Sequence, residues 1–163
     1  MIVIVNKLGS DSLFLRWLKN LNQYPLEESV FDDLGVETLQ PDFALPYDLI
    51  GNGDVCPYLW MPAIIIDAHP YIFFSHSEFK STDTTSVLVN HSYVIDLVVP
   101  YSQIMVQDKL RNIRIIDRIM VDLDNTYITG IGRLFIKKGR DYVVNNIYQG
   151  ATLFLSIDNS RIS

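Results

Sequence analysis

The fold is decided by residues 91–157, HSYVIDLVVPYSQIMVQDKLRNIRIIDRIMVDLDNTYITGIGRLFIKKGRDYVVNNIYQGATLFLSI. An alternating apolar run from Tyr93 to Val99 is closed by Pro100, and a charged amphipathic segment follows over residues 107–122. Two further alternating runs, 128–136 and 151–157, are joined by a polar connection in which Lys137 to Asp141 turns the chain. The hydrophobic period goes from two to about 3.6 and back, which reads as strand, helix, strand, strand. Val87, Val89, His91, Tyr93, Ile95, Leu97 and Val99 share one face of the first strand. In the helix, Leu110, Ile113, Ile116, Met120 and Leu123 form the inward stripe with Ile119 beside it. Asp108, Arg111, Arg114, Asp117, Arg118 and Asp122 fall outside, at i,i+3 or i,i+4 spacing. Gly130 and Gly132 mark a bulge or close backbone approach at the start of the next strand.

Toward the N-terminus the pattern is less regular. Residues 1–5 are an apolar run, read as a buried strand or a plug. Ser10 or Asp11 can cap a helix over residues 11–23, with Phe14, Trp17, Leu18 and Leu21 at helical spacing and Pro25 beyond its end. A short helix fits residues 27–34, stopped by Gly35, and the rest of residues 26–58 reads as an extended arm or long loop. Residues 58–74 are strand-like but interrupted by Pro62 and Pro70, so they form an edge strand or two short strands with a bend. Residues 78–85 read as a polar turn or hairpin tip. The fold expected is therefore α+β: one domain over residues 1–163, with an N-terminal helix and arm (1–57) and a β-rich core with a helix (58–163). Its sheet is mostly antiparallel.

Composition narrows the function classes. The 163 residues are 48% hydrophobic and 20% charged, a globular balance. Nineteen acidic against thirteen basic residues give a net charge of −6, which argues against holding nucleic acid by phosphate neutralisation. Lys137, Lys138 and Arg140 are the candidates for a local basic patch. The single Cys56 excludes an internal disulfide and any cysteine-rich zinc site, and is read as an inert thiol. No apolar run reaches the about 18 residues of a membrane span, and the first residues lack a signal-peptide pattern. The expectation is a soluble chain made in the cytoplasm.

No reaction centre stands out. Asp67, His69, His76 and His91 could supply a metal site, but Pro70 interrupts the strand and neither HExxH nor a second carboxylate accompanies them. GIGR at residues 130–133 precedes a strand, whereas phosphate loops open a helix. Asp122 and Asp124 lack the further oxygen ligands of a calcium loop and end the helix instead. Prolines, an edge-like strand and aromatics at 43–60 suit a subunit packing against copies of itself, or equally a domain filling its own core. Trp60, Pro62, Glu78, Phe79 and Asp83 are the interface candidates.

YVIDLVVP, KLRNIRIIDRIMVDL, GIGRLFI and YQGATLFLSI, taken together, resemble the tail-terminator and head–tail connector proteins of tailed bacteriophages. The resemblance covers the last 70 or so residues well and residues 58–90 loosely, and leaves the first 55 outside. It implies a non-enzymatic virion protein without cofactor, a neck or tail ring of six copies between portal and tail. The partners implied are copies of itself, other neck, portal or tail proteins, and passing DNA held without specific binding. Acidic residues such as Glu78, Asp83 and Asp124 would line the passage. Two other classes stay open: a β-rich module binding glycan or protein, and a small metal-dependent hydrolase built on the histidines.

Overall fold

The computed structural model describes residues 2–20, 29–31, 37–39, 45–57, 69–81, 89–106, 109–129 and 132–158. Its architecture is α+β, a curled mixed six-stranded sheet with three helices. Helices α1 (Ile2–Leu8) and α2 (Ser12–Lys19) come first, then a hairpin of β1 (Ser29–Phe31) and β2 (Glu37–Leu39) forming a two-stranded sheet of its own. Next come β3 (Val55–Cys56), β4 (Tyr71–Ser81) and β5 (Val89–Pro100). A bridge of β6 (Met105–Val106) with β7 (Lys109–Leu110) leads into α3 (Arg111–Leu123). The chain closes with β8 (Tyr127–Ile128), β9 (Gly132–Val143) and β10 (Tyr148–Asp158). The main sheet runs β3-β4-β5-β10-β9-β8, with only the β3–β4 pair parallel.

One face of this sheet carries the helices. Ile72 and Phe74 of β4, Ile95, Leu97 and Val99 of β5, and Leu153, Leu155 and Ile157 of β10 belong to one buried cluster. Ile4, Val5 and Leu8 of α1, Phe14, Leu15, Trp17 and Leu18 of α2, and Ile115, Ile119 and Leu123 of α3 complete it. The alternation expected for β5 therefore holds, because a strand with one covered face buries every second residue. On the reverse face a smaller cluster of Cys56, Tyr71, Phe73 and Val98 is flanked by Val144 and Tyr148.

Several elements depart from the sequence reading. The first residues are a helix, α1, because Ile4, Val5 and Leu8 fall on one helical side and pack into the shared core. The N-terminal helix begins as expected, with the Asp11 carboxylate accepting from the amide of Leu13, but ends at Lys19, short of residue 23. Of the helix expected over 27–34, residues 29–31 are a strand, paired Ser29 to Leu39 and Phe31 to Glu37, while 27–28 and 32–35 lie outside the described residues. The turn expected at residues 137–141 does not exist. β9 runs on to Val143, since β10 supplies ladder partners from Gln149 to Asp158, and the chain reverses after Val144. Glu78 to Ser81 likewise continue β4, while residues 82–88 lie outside the described residues. Tyr127 and Ile128 form their own short strand against Arg133 and Gly132. Gly132 opens β9 at φ 119°, a conformation glycine tolerates best, whereas the bulge falls at Lys137, between Phe154 and Leu155 of the partner strand.

The helix expected over 107–122 starts at Arg111, after the β7 bridge, and Gln107 and Asp108 lie outside the described residues. Its inward side is Arg111, Asn112, Ile115, Ile119 and Leu123. Leu110, Ile113 and Met120 of the expected stripe are exposed. The rotation has a polar cause. Arg111 is fully buried, and its guanidinium donates to the main-chain oxygens of Trp17 (2.7 Å), Asn20 and, through Nε, Gln103 (3.0 Å). Trp17 and Asn20 end α2, where helix carbonyls have no partner within the helix and the dipole favours a cation. The Arg111 amide also donates to the oxygen of Ile104, tying the start of α3 to the turn after β5. Burial lowers the Arg111 pKa to about 10, so the group stays charged at neutral pH.

Two ion pairs fix the helices further. Lys19 Nζ donates to Asp54 Oδ1 at 2.6 Å, joining the end of α2 to the loop before β3. Burial works against the Lys19 charge, but the Asp54 carboxylate outweighs it and raises the pKa. Arg118 of α3 reaches Asp11 at 2.7 Å, so one carboxylate both caps α2 and holds α3. Replacing Arg111 by Ala should cost more than about 3 kcal/mol, since several buried carbonyls lose their donor together. Arg111→Lys should recover part of that, because an ammonium lacks the planar fork. Urea titration checks both; equal stability of wild type and Arg111→Ala would remove Arg111 from its organising role.

Candidate functional site

The structure separates the proposed metal ligands. Asp67 lies outside the described residues. His69 precedes β4 and lies tilted against Tyr71, with ring centroids 3.8 Å apart. His76 lies seven residues farther along, on the order of 20 Å in an extended chain, and does not meet it. His76 and His91, however, do come together. Their Nε2 and Nδ1 atoms are 3.1 Å apart across β4 and β5, with the ring of Tyr93 against both. A hydrogen bond between imidazoles needs one donor and one acceptor nitrogen, and the tautomer of each ring decides which donates. The β4–β5 register puts them there, with a one-residue shift at Ser77. Among the described residues no group of three or more metal-ligating side chains converges.

Other candidates resolve as structural. Asp124 caps the end of α3, and its carboxylate accepts from the amide of Ile136 at 2.8 Å. Asn125 follows at φ 55° and accepts from Arg133 Nη1. Asp122 lies beside Asp11, and burial together with that neighbouring carboxylate pushes its pKa up to about 6, although Arg118 pulls the other way. Cys56 is buried, its Sγ 4.0 Å from the oxygen of Gly53. Of the interface candidates, Glu78 and Phe79 lie in β4, opposite Ser92 and His91, while Trp60, Pro62 and Asp83 lie outside the described residues.

What the structure brings together most distinctly is on β9. Lys137, Lys138 and Arg140, the basic patch anticipated from sequence, are all exposed there. Lys138 Nζ sits 4.8 Å from the Phe154 ring centroid, the Arg140 guanidinium 5.8 Å from the same ring, and Lys137 5.1 Å from Phe135. Cations over aromatic faces keep the charges on the sheet surface instead of trailing into solvent. Beside them Thr152 donates to Asp96, whose pKa burial raises even though Thr152 and Arg140 oppose the shift. Burial, with the Asp96 charge nearby, pushes the Tyr142 phenol up to about 12. The Tyr142 ring lies over Gly150, where any side chain would collide with it.

Behind this strip, between α3 and the sheet, lies a cleft of about 430 Å3. Ile113, Ile116 and Met120 of α3 form one wall, and Ile136, Ala151 and Leu153 form the floor. Its rim is β9 from Lys137 to Asp141. Sequence reading assigned the three helix residues to the core; the orientation of α3 leaves Ile113 and Met120 exposed along the cleft and Ile116 half-buried against the core.

Strand edges complete the surface. β8 covers β9 only at Gly132 and Arg133, and β3 covers β4 only at Ile72 and Phe73. The Leu134 amide donates to the oxygen of Thr126 and the Ile136 amide to Asp124; beyond them, among the described residues, no strand pairs with the outer side of β9 from 137 to 143, or of β4 from 74 to 81.

A family model described as YomW matches residues 14–157, and the chain belongs to the YomW family. That name is of a prophage type and points to a phage-related protein, without assigning a neck or tail-terminator role. No curated protein matches the chain.

The Asp11–Asp122 pair gives a pH dependence. Asp122 has a folded pKa above its unfolded value, so its contribution favours the fold while it is protonated and is lost as pH rises from about 4 to about 6. Asp122→Asn should therefore melt higher than wild type at pH 7, with the gain vanishing near pH 4. Paired thermal melts check this; a variant melting below wild type at pH 7 would contradict it.

Proposed function

We propose that this chain is a structural subunit of a phage particle, not an enzyme, and that it assembles with copies of itself into a ring of the neck or tail. The observation that carries the reading is that, among the described residues, no strand pairs with the outer side of β4 from 74 to 81 or of β9 from 137 to 143. Unpaired N–H and C=O groups along a strand are a template for another strand, and cyclic assemblies arise when such a contact repeats with a closing rotation. Membership of a phage-related family supports the setting, and the likeness to tail-terminator and connector rings supports the particular role. In that role the ring joins the portal to the tail, in the virion, and DNA passes through without being bound. Its net charge of −6 suits a passage from which phosphates are repelled.

A second reading, a binding module, draws on the cleft, whose volume of about 430 Å3 is in the range of small-ligand pockets. Sedimentation velocity over a wide concentration range separates the two. A ring subunit should form one discrete species of about six copies. A chain that stays monomeric at every concentration would overturn the ring and leave the binding module.

A further inference from the structure

The chain segregates its charge. Between Lys19 and Lys80 there is no Lys or Arg, yet ten of the nineteen acidic residues lie there. The densest part is residues 26–34, LEESVFDDL, with Glu27, Glu28, Asp32 and Asp33 among Leu26, Val30, Phe31 and Leu34. At its centre β1 is extended and pairs only with β2 among the described strands. Strand β9 is its complement: Lys137, Lys138 and Arg140 are exposed, no described strand pairs with its outer side from 137 to 143, and the apolar cleft lies alongside.

Resting on the assembly reading above, we infer that the β9 edge and its cleft receive the acidic segment 26–34 of a second copy of this chain. Three complementarities coincide. Backbone groups on the outer side of β9 offer a ladder to the free side of β1. Ile113, Ile116, Met120 and Leu153 offer an apolar seat to a segment carrying Leu, Val and Phe. On the reverse face of β9, the lysines and arginine held over Phe135 and Phe154 select an acidic segment over an apolar one, because alternate side chains of a paired strand reach both faces. An edge strand bearing Lys and a bulge is normally defended against pairing. Here the same charges become selective, because a partner strand bringing carboxylates relieves their mutual repulsion and a neutral or basic one does not. The contact is heterologous, arm onto edge, so it repeats from copy to copy and leaves no face used twice. Phosphates could meet the same cations, but the surrounding net charge of −6 disfavours a polyanion, whereas a short acidic segment brings only four charges.

Charge swapping tests this on the full chain by native mass spectrometry, with circular dichroism confirming folding. One variant carries Lys137→Glu and Lys138→Glu; a second carries Glu27→Lys, Glu28→Lys, Asp32→Lys and Asp33→Lys; a third combines them. Wild type is expected to be oligomeric, each single set monomeric at the same concentration, and the combined chain oligomeric again. Mixing the two single-set chains should restore assembly with the two alternating, since the acidic arm of one meets the basic edge of the other and the basic arm of that one meets the acidic edge of the first; a mixture that stays monomeric would overturn the contact. If wild type assembles and the single sets assemble equally well, this contact is wrong while the ring reading survives. Failure of the combined chain to reassemble overturns it too. If wild type is monomeric throughout, both fail together. Binding of a labelled oligothymidine by wild type, abolished by Lys137→Glu and Lys138→Glu without a change in oligomeric state, would assign the strip to nucleic acid instead.

Discussion

Main-chain oxygens from separate parts of the chain, those of Trp17, Asn20 and Gln103, converge on the side chain of Arg111. A guanidinium is hard to bury, and a buried helix end is equally hard to leave without donors; each solves the other's problem here. Because Arg111 is the first residue of α3, its placement sets the rotation of that helix and the distance between α2 and α3. Asp11 then adds a second tie between the same helices through Arg118, and Lys19 with Asp54 ties α2 to the loop before β3. The helix layer is thus positioned by charge-assisted hydrogen bonds and filled by apolar side chains.

That rotation has a consequence on the outside. Ile115, Ile119 and Leu123 take the core, and Ile113 and Met120, about as apolar, are left at the surface over β9 and β10. The apolar wall of the cleft and the buried Arg111 are therefore two results of one helix orientation. On the reverse face the sheet is half polar: Asp96, Thr152, Arg140 and Tyr142 form a linked group beside the Cys56–Tyr71–Phe73–Val98 cluster. The helix layer lies on one face and this mixed surface on the other, and among the described residues the outer sides of β4 from 74 to 81 and of β9 from 137 to 143 have no strand partner.

Sequence alone made the period of each main element legible but not always its phase or extent. Alternation in β5 was readable because Ile95, Leu97 and Val99 are bounded by a proline and contrast with Asp96. In α3 the period was equally clear, yet apolar residues occupy both flanks, and only a long-range contact of Arg111 with α2 selects between them. KKGRD has turn composition, but on an outer strand charged side chains need only one wet face, and β10 provides the ladder that overrides the local preference. The meeting of His76 and His91 depends on a register shifted at Ser77, which no spacing rule encodes. The basic patch on β9 was legible as three residues; that it borders an open edge and a cleft was not.

Membership of the YomW family gives the chain a phage-related setting, and the open edges give that setting a physical form. In the proposed assembly the outer strands would gain order from a partner copy, and the charge on β9 would select which strand it accepts. The most direct test is amide hydrogen exchange along β9, from Lys137 to Val143, compared between dilute and concentrated protein. Amides on the outer side of β9 should exchange freely in the dilute sample and become protected on assembly, while those bonded to β10 stay protected in both. Outer amides that exchange equally fast in an assembled species would show that copies meet elsewhere, and would contradict an account built on that edge.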